Sequence, residues 1–299
     1  MKKNIVKIVS LIFALILMSV VFFACNDDSG ETPEPQPKPP TEEEIRNANM
    51  SAKDGVEYGE DIEIEYDSQI TGAKKHAMVT LPVGYTEEKF YPVLYLLHGM
   101  ACDHHAWLDD CNAKYIVQNL ALEGKAEEMI LVSVNSIVNE TEIAPSFTDD
   151  SYAPMFDKTA DEIFTSLMPY INEHYSTLTG KQNTAIAGFS MGGRETLLTA
   201  FAHQDAFDYV GAFSSAGFDK KVISFNNAIP DFKYDEGQSF KVLMLAIGNM
   251  DTMTGGVTPG IKIKFDDNGI EYQSKTYTGG HTYGVWKNAL YDFAVQLFK

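Results

Sequence analysis

The sequence predicts a three-layer α/β sandwich, in which helices cover both faces of a mostly parallel sheet. Four short apolar runs that end in turn residues are typical of strands buried on both faces, and they occupy residues 91–99, 128–135, 184–188 and 240–248. Apolar residues recur at helical spacing between and after these runs, most clearly in 157–175 and 282–298. This alternation, sustained over residues 51–299, indicates one α/β domain.

Three further segments complete the elements of this domain. Residues 61–66 and 75–82 alternate apolar and polar side chains with period two, which predicts half-exposed antiparallel strands at one edge of the sheet. Residues 260–269 fit a helix and a strand equally well, so the pattern leaves them unassigned.

The first 25 residues predict export from the cytoplasm. Lysines precede an apolar run that ends at Ala24, as in a secretory signal peptide. Because Cys25 follows this small residue, the segment resembles a bacterial lipoprotein signal, in which the cysteine is lipidated and becomes the mature N-terminus. The alternative is an uncleaved anchor helix, since the run is nearly long enough to span a bilayer. Both alternatives place the rest of the chain outside the cytoplasm, and the first predicts a lipid-anchored protein of the cell envelope or surface.

Composition separates a tether from the domain and restricts the partners. Residues 26–50 are rich in proline and acids, which predicts an extended linker between the signal and a domain at 51–299. The chain has a net charge of −19, and removing the signal makes it more acidic because the signal contains lysines and no acids. This balance argues against nucleic acid as a partner, and against membrane contact other than through the lipid anchor.

A glycine-rich turn carries the first candidate for chemistry. In TAIAGFSMGGRE, residues 184–195, Ser190 lies between Gly188 and Gly192 in a G-x-S-x-G pattern. The segment before it reads as a buried strand, and the segment after it reads as a helix. A strand, a sharp turn and a helix form the setting in which a serine becomes an exposed nucleophile at the positive end of a helix dipole. We therefore predict Ser190 as a nucleophile.

A serine nucleophile needs a base, and the base needs an acid that orients it. The histidines after Ser190 are His203, on the helix that follows the serine, and His281, in a Gly-Gly loop before the last helix. The loop position favours His281 as the base. The acid must follow the carboxyl end of a buried strand, and both Asp219 and Asp251 meet this condition.

The reaction also needs two backbone N–H donors for an oxyanion. Met191 N–H follows the nucleophile directly, and the second donor comes from the loop after an earlier strand. The segment LLHGM, residues 96–100, ends such a strand, so we predict Met100 N–H as this donor. His98 lies at the end of the strand, where it is expected to be a structural hydrogen bonder.

Three segments together resemble the esterase D-like branch of the α/β-hydrolases, and in particular the family-1 carbohydrate esterases, which are feruloyl and acetyl-xylan esterases. They are 81–100, 185–193 and 279–290, and the similarity extends over nearly all of 51–299. The resemblance implies an α/β-hydrolase fold and hydrolysis of acyl esters without a cofactor. The residues that it implies for the site are Ser190 as nucleophile, His281 as base, Asp251 as acid, and Met100 and Met191 as oxyanion donors. Asp103 and Trp107 also match a segment of that family.

The segment 102–111, CDHHAWLDDC, departs from the family pattern. Cys102 and Cys111 either form a disulfide outside the cytoplasm or remain free thiols. The histidines and acids of the segment hint at a metal, but adjacent histidines do not share a helix face and the H-E-x-x-H spacing is absent, so we expect no metal. The residues of this hint are His104, His105, Asp109 and Asp110.

Three classes of function remain at this point. The first is a serine esterase that removes feruloyl or acetyl groups from plant cell-wall polysaccharide, and the sequence does not separate these two acyl groups. The second is the same chemistry on another acyl donor, such as a siderophore ester or a thioester. The third is a non-catalytic, glycan-binding lipoprotein on the same scaffold, since a fold does not determine function. A complete set of serine, histidine and acid argues against the third class.

The lipoprotein signal generates a testable prediction. Replacing the thiol that accepts the lipid, Cys25→Ala, should leave an unprocessed precursor that incorporates no fatty acid, because the modification must precede cleavage. Mass spectrometry of the purified chain and metabolic labelling with a fatty acid measure both effects, with Cys102→Ala as the matched control that should be processed normally. Unchanged processing of the Cys25→Ala chain would instead indicate cleavage at another site.

Overall fold

The computed structural model describes residues 38–146, 148–219 and 228–299. The chain divides into two units, Met1–Pro40 and Thr41–Lys299, and the second is the folded domain. The predicted signal peptide, the lipidation site at Cys25 and residues 26–37 of the predicted linker lie outside the described residues. In the ranges that the structure describes, no helix combines the length and the apolar character needed to cross a bilayer.

An eight-stranded sheet forms the centre of the described domain, in the order β1-β2-β4-β3-β5-β6-β7-β8. The first two strands run antiparallel to their neighbours, and all other pairs are parallel. This confirms the mostly parallel sheet and the antiparallel edge predicted at 61–66 and 75–82. The strands are β1 Asp61–Asp67, β2 Lys74–Thr80, β3 Val93–Leu97, β4 Ile130–Val134, β5 Thr184–Phe189, β6 Tyr209–Phe213, β7 Val242–Gly248 and β8 Gln273–Tyr277.

Helices connect these strands and cover both faces of the sheet. The segment 157–175 is helical as predicted, although a π-helical turn at Ile163–Leu167 interrupts it, and the unassigned segment 260–269 falls largely in a helix. The helices are α1 Glu42–Asn49, α2 Ala106–Asp109, α3 Ala113–Leu122, α4 Tyr152–Phe156, α5 Thr159–Glu162, α6 Met168–His174, α7 Met191–Ala202, α8 Val257–Asp267 and α9 Tyr283–Ala294.

Two apolar cores, one on each face of the sheet, make the three layers. Alternate residues of β3 point to opposite faces, so Leu94 belongs to one core and Tyr95 to the other. The first core packs the sheet against α3 and α9 and contains Trp107 and Trp286. The second packs it against α7 and α8. Strands buried on both faces explain why the sequence shows continuous apolar runs there.

The folded domain begins earlier than the composition indicated. Helix α1 lies inside the segment 26–50 that we assigned to the linker. Thr41 begins this helix with a capping box, in which its side chain accepts from Glu44 N–H and the Glu44 carboxylate accepts from Thr41 N–H. The domain boundary at residue 51 is therefore wrong, and the compact unit starts at Thr41.

Long-range contacts hold α1 in place, and these contacts have no signal in the local composition. Arg46 lies 2.5 Å from Asp292 of α9, and its guanidinium lies over the ring of Tyr291. Asn49 is buried and donates to Glu123 beyond α3, and Met50 joins the first core. A polar segment thus becomes ordered because it docks on α3 and α9, although it buries little apolar surface of its own.

The corrected boundary predicts a difference between two shortened chains. A chain that starts at Ser51 loses α1 and Met50, which should lower the free energy of unfolding by about 3 kcal/mol and the melting temperature by about 6–12 °C. A chain that starts at Thr41 is the control and should melt like the full chain. Thermal unfolding followed by circular dichroism measures both. Equal melting temperatures for the two shortened chains would return the boundary to residue 51.

Candidate active site

The turn between β5 and α7 places Ser190 in a strained backbone conformation. Ser190 has φ 56° and ψ −120°, values that a residue with a side chain rarely adopts. Its N–H donates to Phe213 O and its carbonyl accepts from Ala216 N–H, each at 2.9 Å. Such strain costs about 1–3 kcal/mol and persists only where the surroundings hold it. The predicted strand, sharp turn and helix around Ser190 are all present.

A close approach of strand and helix explains the glycine before the serine. A Cβ atom at Gly188 would lie 2.3 Å from the carbonyl oxygen of Gly192, a contact that real side chains do not make. The small residues therefore let α7 start directly against the end of β5, as the sequence indicated. The result is a helix that begins at Met191, so that its free N–H groups and positive dipole end lie next to Ser190.

His281 makes a hydrogen bond to the serine. It lies in the loop between β8 and α9, and its Nε2 is 2.9 Å from Ser190 Oγ. The edge of the imidazole meets the ring of Trp286 at a centroid distance of 5.0 Å, which restricts the tilt of the ring. The structure therefore brings together the two residues that the sequence placed 91 positions apart.

Asp251 is the carboxylate partner of His281. Its Oδ2 lies 2.9 Å from His281 Nδ1, so of the two acids that the sequence left open, the structure places Asp251 beside the histidine and not Asp219. A carboxylate only accepts, and His281 Nδ1 therefore donates to it. This leaves Nε2 of the neutral imidazole as an acceptor for the hydroxyl of Ser190.

Hydrogen bonds keep the buried Asp251 ionised. Its side chain is fully buried, and burial by itself would raise the pKa of the carboxyl group. Donors from the loop after β7 oppose this effect, since Met253 N–H and Thr254 N–H bind Oδ1 and the Thr254 hydroxyl binds Oδ2. Together with His281 they lower the pKa of Asp251 below its usual value, so this group stays charged at neutral pH.

The loop after β3, residues 98–101, is the oxyanion loop of the sequence analysis, and it lies directly against the serine. A Cβ atom on Gly99 would meet the ring of Phe189 at 2.8 Å and Ser190 Cβ at 3.1 Å, so only glycine fits there. Met100 follows Gly99 in this loop and packs against the apolar cluster that contains Met191. The role of the Met100 and Met191 N–H groups as oxyanion donors stays a prediction.

His98 has the structural role that its place at the strand end indicated. It is fully buried, its Nε2 accepts from Ser136 N–H at 3.0 Å, and its Nδ1–H donates to Gly99 O at 2.8 Å. Burial lowers the pKa of His98 to about 4, so the ring stays neutral in this tautomer. His98 thereby ties the oxyanion loop to the loop after β4.

Two surfaces of opposite character meet at the oxyanion loop. The first is an apolar cluster, formed by Met100, Ile137, Ala144, Tyr152, Ala153, Met155, Phe156, Met191 and Ala216. The second is a polar groove of about 470 Å³, lined by Ala101, Cys102, Asp103, His105, Ala106, Asp109, Asp110 and Tyr283. The oxyanion loop contributes Met100 to the cluster and Ala101 to the groove, so it separates the two surfaces.

The cysteines of segment 102–111 are free thiols in the structure, which is the second of the two alternatives above. Cys111 is fully buried, and burial raises the pKa of its thiol. Cys102 Sγ lies 3.6 Å from the Tyr283 hydroxyl, at the wall of the polar groove. Trp107, which matches a segment of the esterase family, lies between the two cysteines in the sequence. Its ring is buried against Phe189, the residue before Ser190.

The two histidines of this segment converge on a residue that the sequence analysis did not single out. His104 Nε2 and His105 Nε2 lie 2.9 and 3.6 Å from Glu63 Oε1, and the three ligand atoms are close enough to share an ion. Asn135 Nδ2 faces His104 Nδ1, which places the proton of a neutral imidazole on Nε2. In this tautomer His104 Nε2 donates to Glu63.

A buried ion cluster on α7 also escaped the sequence analysis. Arg194 is buried and pairs with Asp157 at 2.6 Å and with the adjacent Glu195. Burial raises the pKa of Glu195 to about 7, although the attraction of Arg194 opposes the shift. The sequence does not predict the burial of these residues, because charged side chains on a helix are expected to be exposed to solvent.

Comparisons with known proteins agree with this geometry. The Esterase family model matches residues 68–297. A family-1 (CE1) ferulic acid esterase of the anaerobic fungus Anaeromyces mucronatus, solved alone and in complex with ferulic acid, is 32% identical, with a TM-score of 0.77 and coverage of 84% of this chain and 95% of that one.

Two further relatives show how far the likeness extends. An endo-1,4-beta-xylanase/feruloyl esterase of Xylanibacter ruminicola is 27% identical over 252 residues, which are 82% of this chain and 32% of that protein. The chain thus spans about a third of the length of that curated relative. An S-formylglutathione hydrolase of Staphylococcus aureus, with a TM-score of 0.61 and coverage of 82% and 99%, is only 17% identical, so it shows the fold alone. The chain belongs to the Esterase family, in the family-1 carbohydrate esterase branch of the α/β-hydrolase fold, and is a carboxylic ester hydrolase.

Proposed function

We propose that this protein is a serine esterase that hydrolyses feruloyl or acetyl esters on plant cell-wall polysaccharide. One observation carries the proposal, namely the hydrogen-bonded series from Ser190 through His281 to Asp251, with both contacts at 2.9 Å. The strained elbow presents the hydroxyl, the histidine accepts its proton, and the ionised carboxylate orients the histidine. Relatives that are named as feruloyl esterases support the choice of substrate class.

The first half of the reaction transfers the acyl group to the enzyme. Ser190 Oγ attacks the carbonyl carbon of the ester while its proton passes to His281 Nε2. The carbonyl oxygen becomes an oxyanion, which Met100 N–H and Met191 N–H stabilise. When the tetrahedral intermediate collapses, the C–O bond to the sugar breaks and the leaving oxygen takes the proton from His281. The products are an acyl-serine and a free hydroxyl group on the saccharide.

The second half returns the enzyme to its starting state. A water molecule gives its proton to His281 Nε2 and its oxygen attacks the acyl carbon, so that the same two N–H groups bind a second oxyanion. Collapse breaks the bond to Ser190 Oγ, which recovers the proton from His281, and the carboxylic acid leaves. Asp251 remains a carboxylate throughout and stabilises the imidazolium that forms twice. No step requires a metal or a cofactor.

The apolar cluster and the polar groove suit the two parts of such a substrate, which are the acyl group and the sugar. The apolar cluster offers half-buried Met100, Ala144 and Ala216 to an acyl group, which favours an aromatic hydroxycinnamoyl group over acetyl. The polar groove offers carboxylates and a tyrosine hydroxyl to the hydroxyl groups of a sugar. A hydrolysis panel of methyl ferulate, acetylated xylan, p-nitrophenyl acetate and an aryl thioester separates the acyl classes. A preference for the thioester would favour the second class of function.

The setting proposed for this activity is the outside of the cell. A lipid on Cys25 and the proline-rich linker would hold the esterase at the envelope or surface, where polymeric substrate is accessible. The proposal rests on the sequence pattern of the first 50 residues. It agrees with the net negative charge of the chain, which argues against nucleic acid or anionic lipid as a partner.

The nucleophile is tested by Ser190→Ala. The attacking atom is gone in this variant, so kcat for methyl ferulate or p-nitrophenyl acetate should fall by a factor of about 10⁴ or more, while the fold survives because alanine is the smaller side chain. Initial rates and circular dichroism measure the two effects. A folded variant that keeps a tenth of the activity would refute the assignment of Ser190 as the nucleophile. The non-catalytic class of function would be favoured instead if the unsubstituted chain hydrolysed no ester and a fluorophosphonate probe did not label Ser190.

The acid is tested by a pair of matched substitutions. Asp251→Asn should lower kcat by about 10²–10⁴-fold, because an amide no longer holds His281 in the tautomer that accepts from Ser190. Asp219→Asn, the control, removes the same charge from the loop after β6 and should change kcat by less than tenfold. The reverse ranking in purified, folded variants would overturn the choice of acid without affecting Ser190 or His281.

A further inference from the structure

The oxyanion loop contains a second backbone conformation that needs support from outside. Ala101 has φ 60°, in the left-handed region, where an alanine is about 1 kcal/mol or more less stable than in the ordinary regions. Its N–H donates to the hydroxyl oxygen of Tyr152 at 3.1 Å. Ala101 follows Met100 directly, so this hydrogen bond restrains the peptide next to the proposed donor.

Burial and ring packing restrain the side chain of Tyr152. It is the first residue of α4, its side chain is 1% exposed, and its ring stacks on Phe156 at a centroid distance of 5.6 Å. The ring belongs to the apolar cluster that also contains Met100 and Met191. Because the ring has little freedom to move, its hydroxyl oxygen holds the Ala101 N–H in one place.

Helix α4 is in turn fastened to the helix that carries the other donor. Asp157, the residue that ends α4, pairs with Arg194 Nη2 at 2.6 Å, and Arg194 belongs to α7 one turn after Met191. Arg194 is buried and Asp157 is about a third exposed, so the pair lies where the buried ion cluster of α7 meets the surface. Helix α4 thus contacts the oxyanion loop at one end and α7 at the other.

We propose that Tyr152 is a positioning residue for ester hydrolysis, holding the oxyanion loop so that Met100 N–H and Met191 N–H point at the same oxygen. The role rests on the proposed function of Ser190 and its neighbours. His98 fixes the loop from the side of β4, and Tyr152 fixes it from the side of α4. The distance between the two donors is then set by packed side chains before the substrate arrives, which is the condition for effective oxyanion stabilisation.

The test is Tyr152→Phe, which removes one oxygen and keeps the ring. Because the oxyanion exists only after attack, we expect kcat for methyl ferulate to fall about 10- to 100-fold, with KM within twofold of the unsubstituted chain. A trifluoromethyl ketone analogue of the feruloyl ester forms an oxyanion adduct with the serine, and its affinity should fall by the same factor. Inhibition by free ferulate, which forms no such adduct, should stay within twofold.

Tyr91→Phe is the matched control. Tyr91 is also 1% exposed, and its hydroxyl also accepts from a backbone N–H, that of Thr86 at 3.2 Å, but it precedes β3 at the opposite end of the sheet. Its substitution should lower the melting temperature by a similar amount and leave kcat, KM and analogue affinity unchanged. If both variants bind the analogue as tightly as the unsubstituted chain, Tyr152 has only a structural role and the proposal is wrong.

A second variant covers the case in which Tyr152→Phe does not fold. Asp157→Asn keeps the tyrosine and weakens the attachment of α4 to α7, so it should show the same pattern at a smaller size, about three- to tenfold in kcat with KM unchanged. An unchanged kcat in this variant would contradict the connection through α4. Failure of the proposed function is recognised separately, because the unsubstituted chain would then hydrolyse no ester of the panel.

Discussion

The backbone of Ser190 is the constraint around which the site is arranged. A serine at φ 56° holds this conformation because its N–H and carbonyl are bound by Phe213 and Ala216, on and after the neighbouring strand β6. The same turn starts α7 at Met191, so the conformation of one residue orients the hydroxyl and places the N–H of Met191, a proposed oxyanion donor, next to it. The parallel strands then bring every other participant to this edge of the sheet.

The pKa values of two buried carboxyl groups, Asp251 and Glu195, are shifted in opposite directions. Asp251 is buried, yet backbone and hydroxyl donors lower its pKa, so it is an anion that can stabilise a cation on His281. Glu195 is buried on α7 and accepts from Arg194, yet burial raises its pKa to about 7. Burial thus opposes ionisation of both acids, and the hydrogen bonds of the loop after β7 and of His281 outweigh it at Asp251.

Local patterns were sufficient for the fold and for most of the site. The apolar strands, the elbow and the loop histidine all lie within short stretches whose spacing has a direct physical meaning, and Ser190 and His281 followed from them. Asp219 and Asp251 both follow a buried strand, so only the geometry of the loop after β7 separates them. Alternation with period two also predicted the two edge strands, but only β1 is half-exposed, because β2 lies between β1 and β4 and is largely buried.

The features that the sequence did not reveal all depend on contacts between distant segments. Helix α1 is polar and becomes part of the domain through Arg46 and Asp292, which are 246 positions apart. Glu63 meets the histidines of segment 102–111 because β1 lies at the sheet edge beside that loop. A tyrosine on a five-residue helix has no periodicity that would distinguish it. In each case the structural role of the residue depends on a partner that is distant in the sequence, so local patterns do not predict it.

The oxyanion loop joins these two kinds of feature. Its glycine and its place after β3 are local properties, whereas its conformation depends on His98 and Tyr152, which reach it from different layers of the fold. The loop also contributes Met100 to the apolar cluster and Ala101 to the polar groove. Under the proposed function, a change in the packing of α4 would therefore alter oxyanion stabilisation and substrate orientation together, since one short segment contacts the oxyanion and both surfaces.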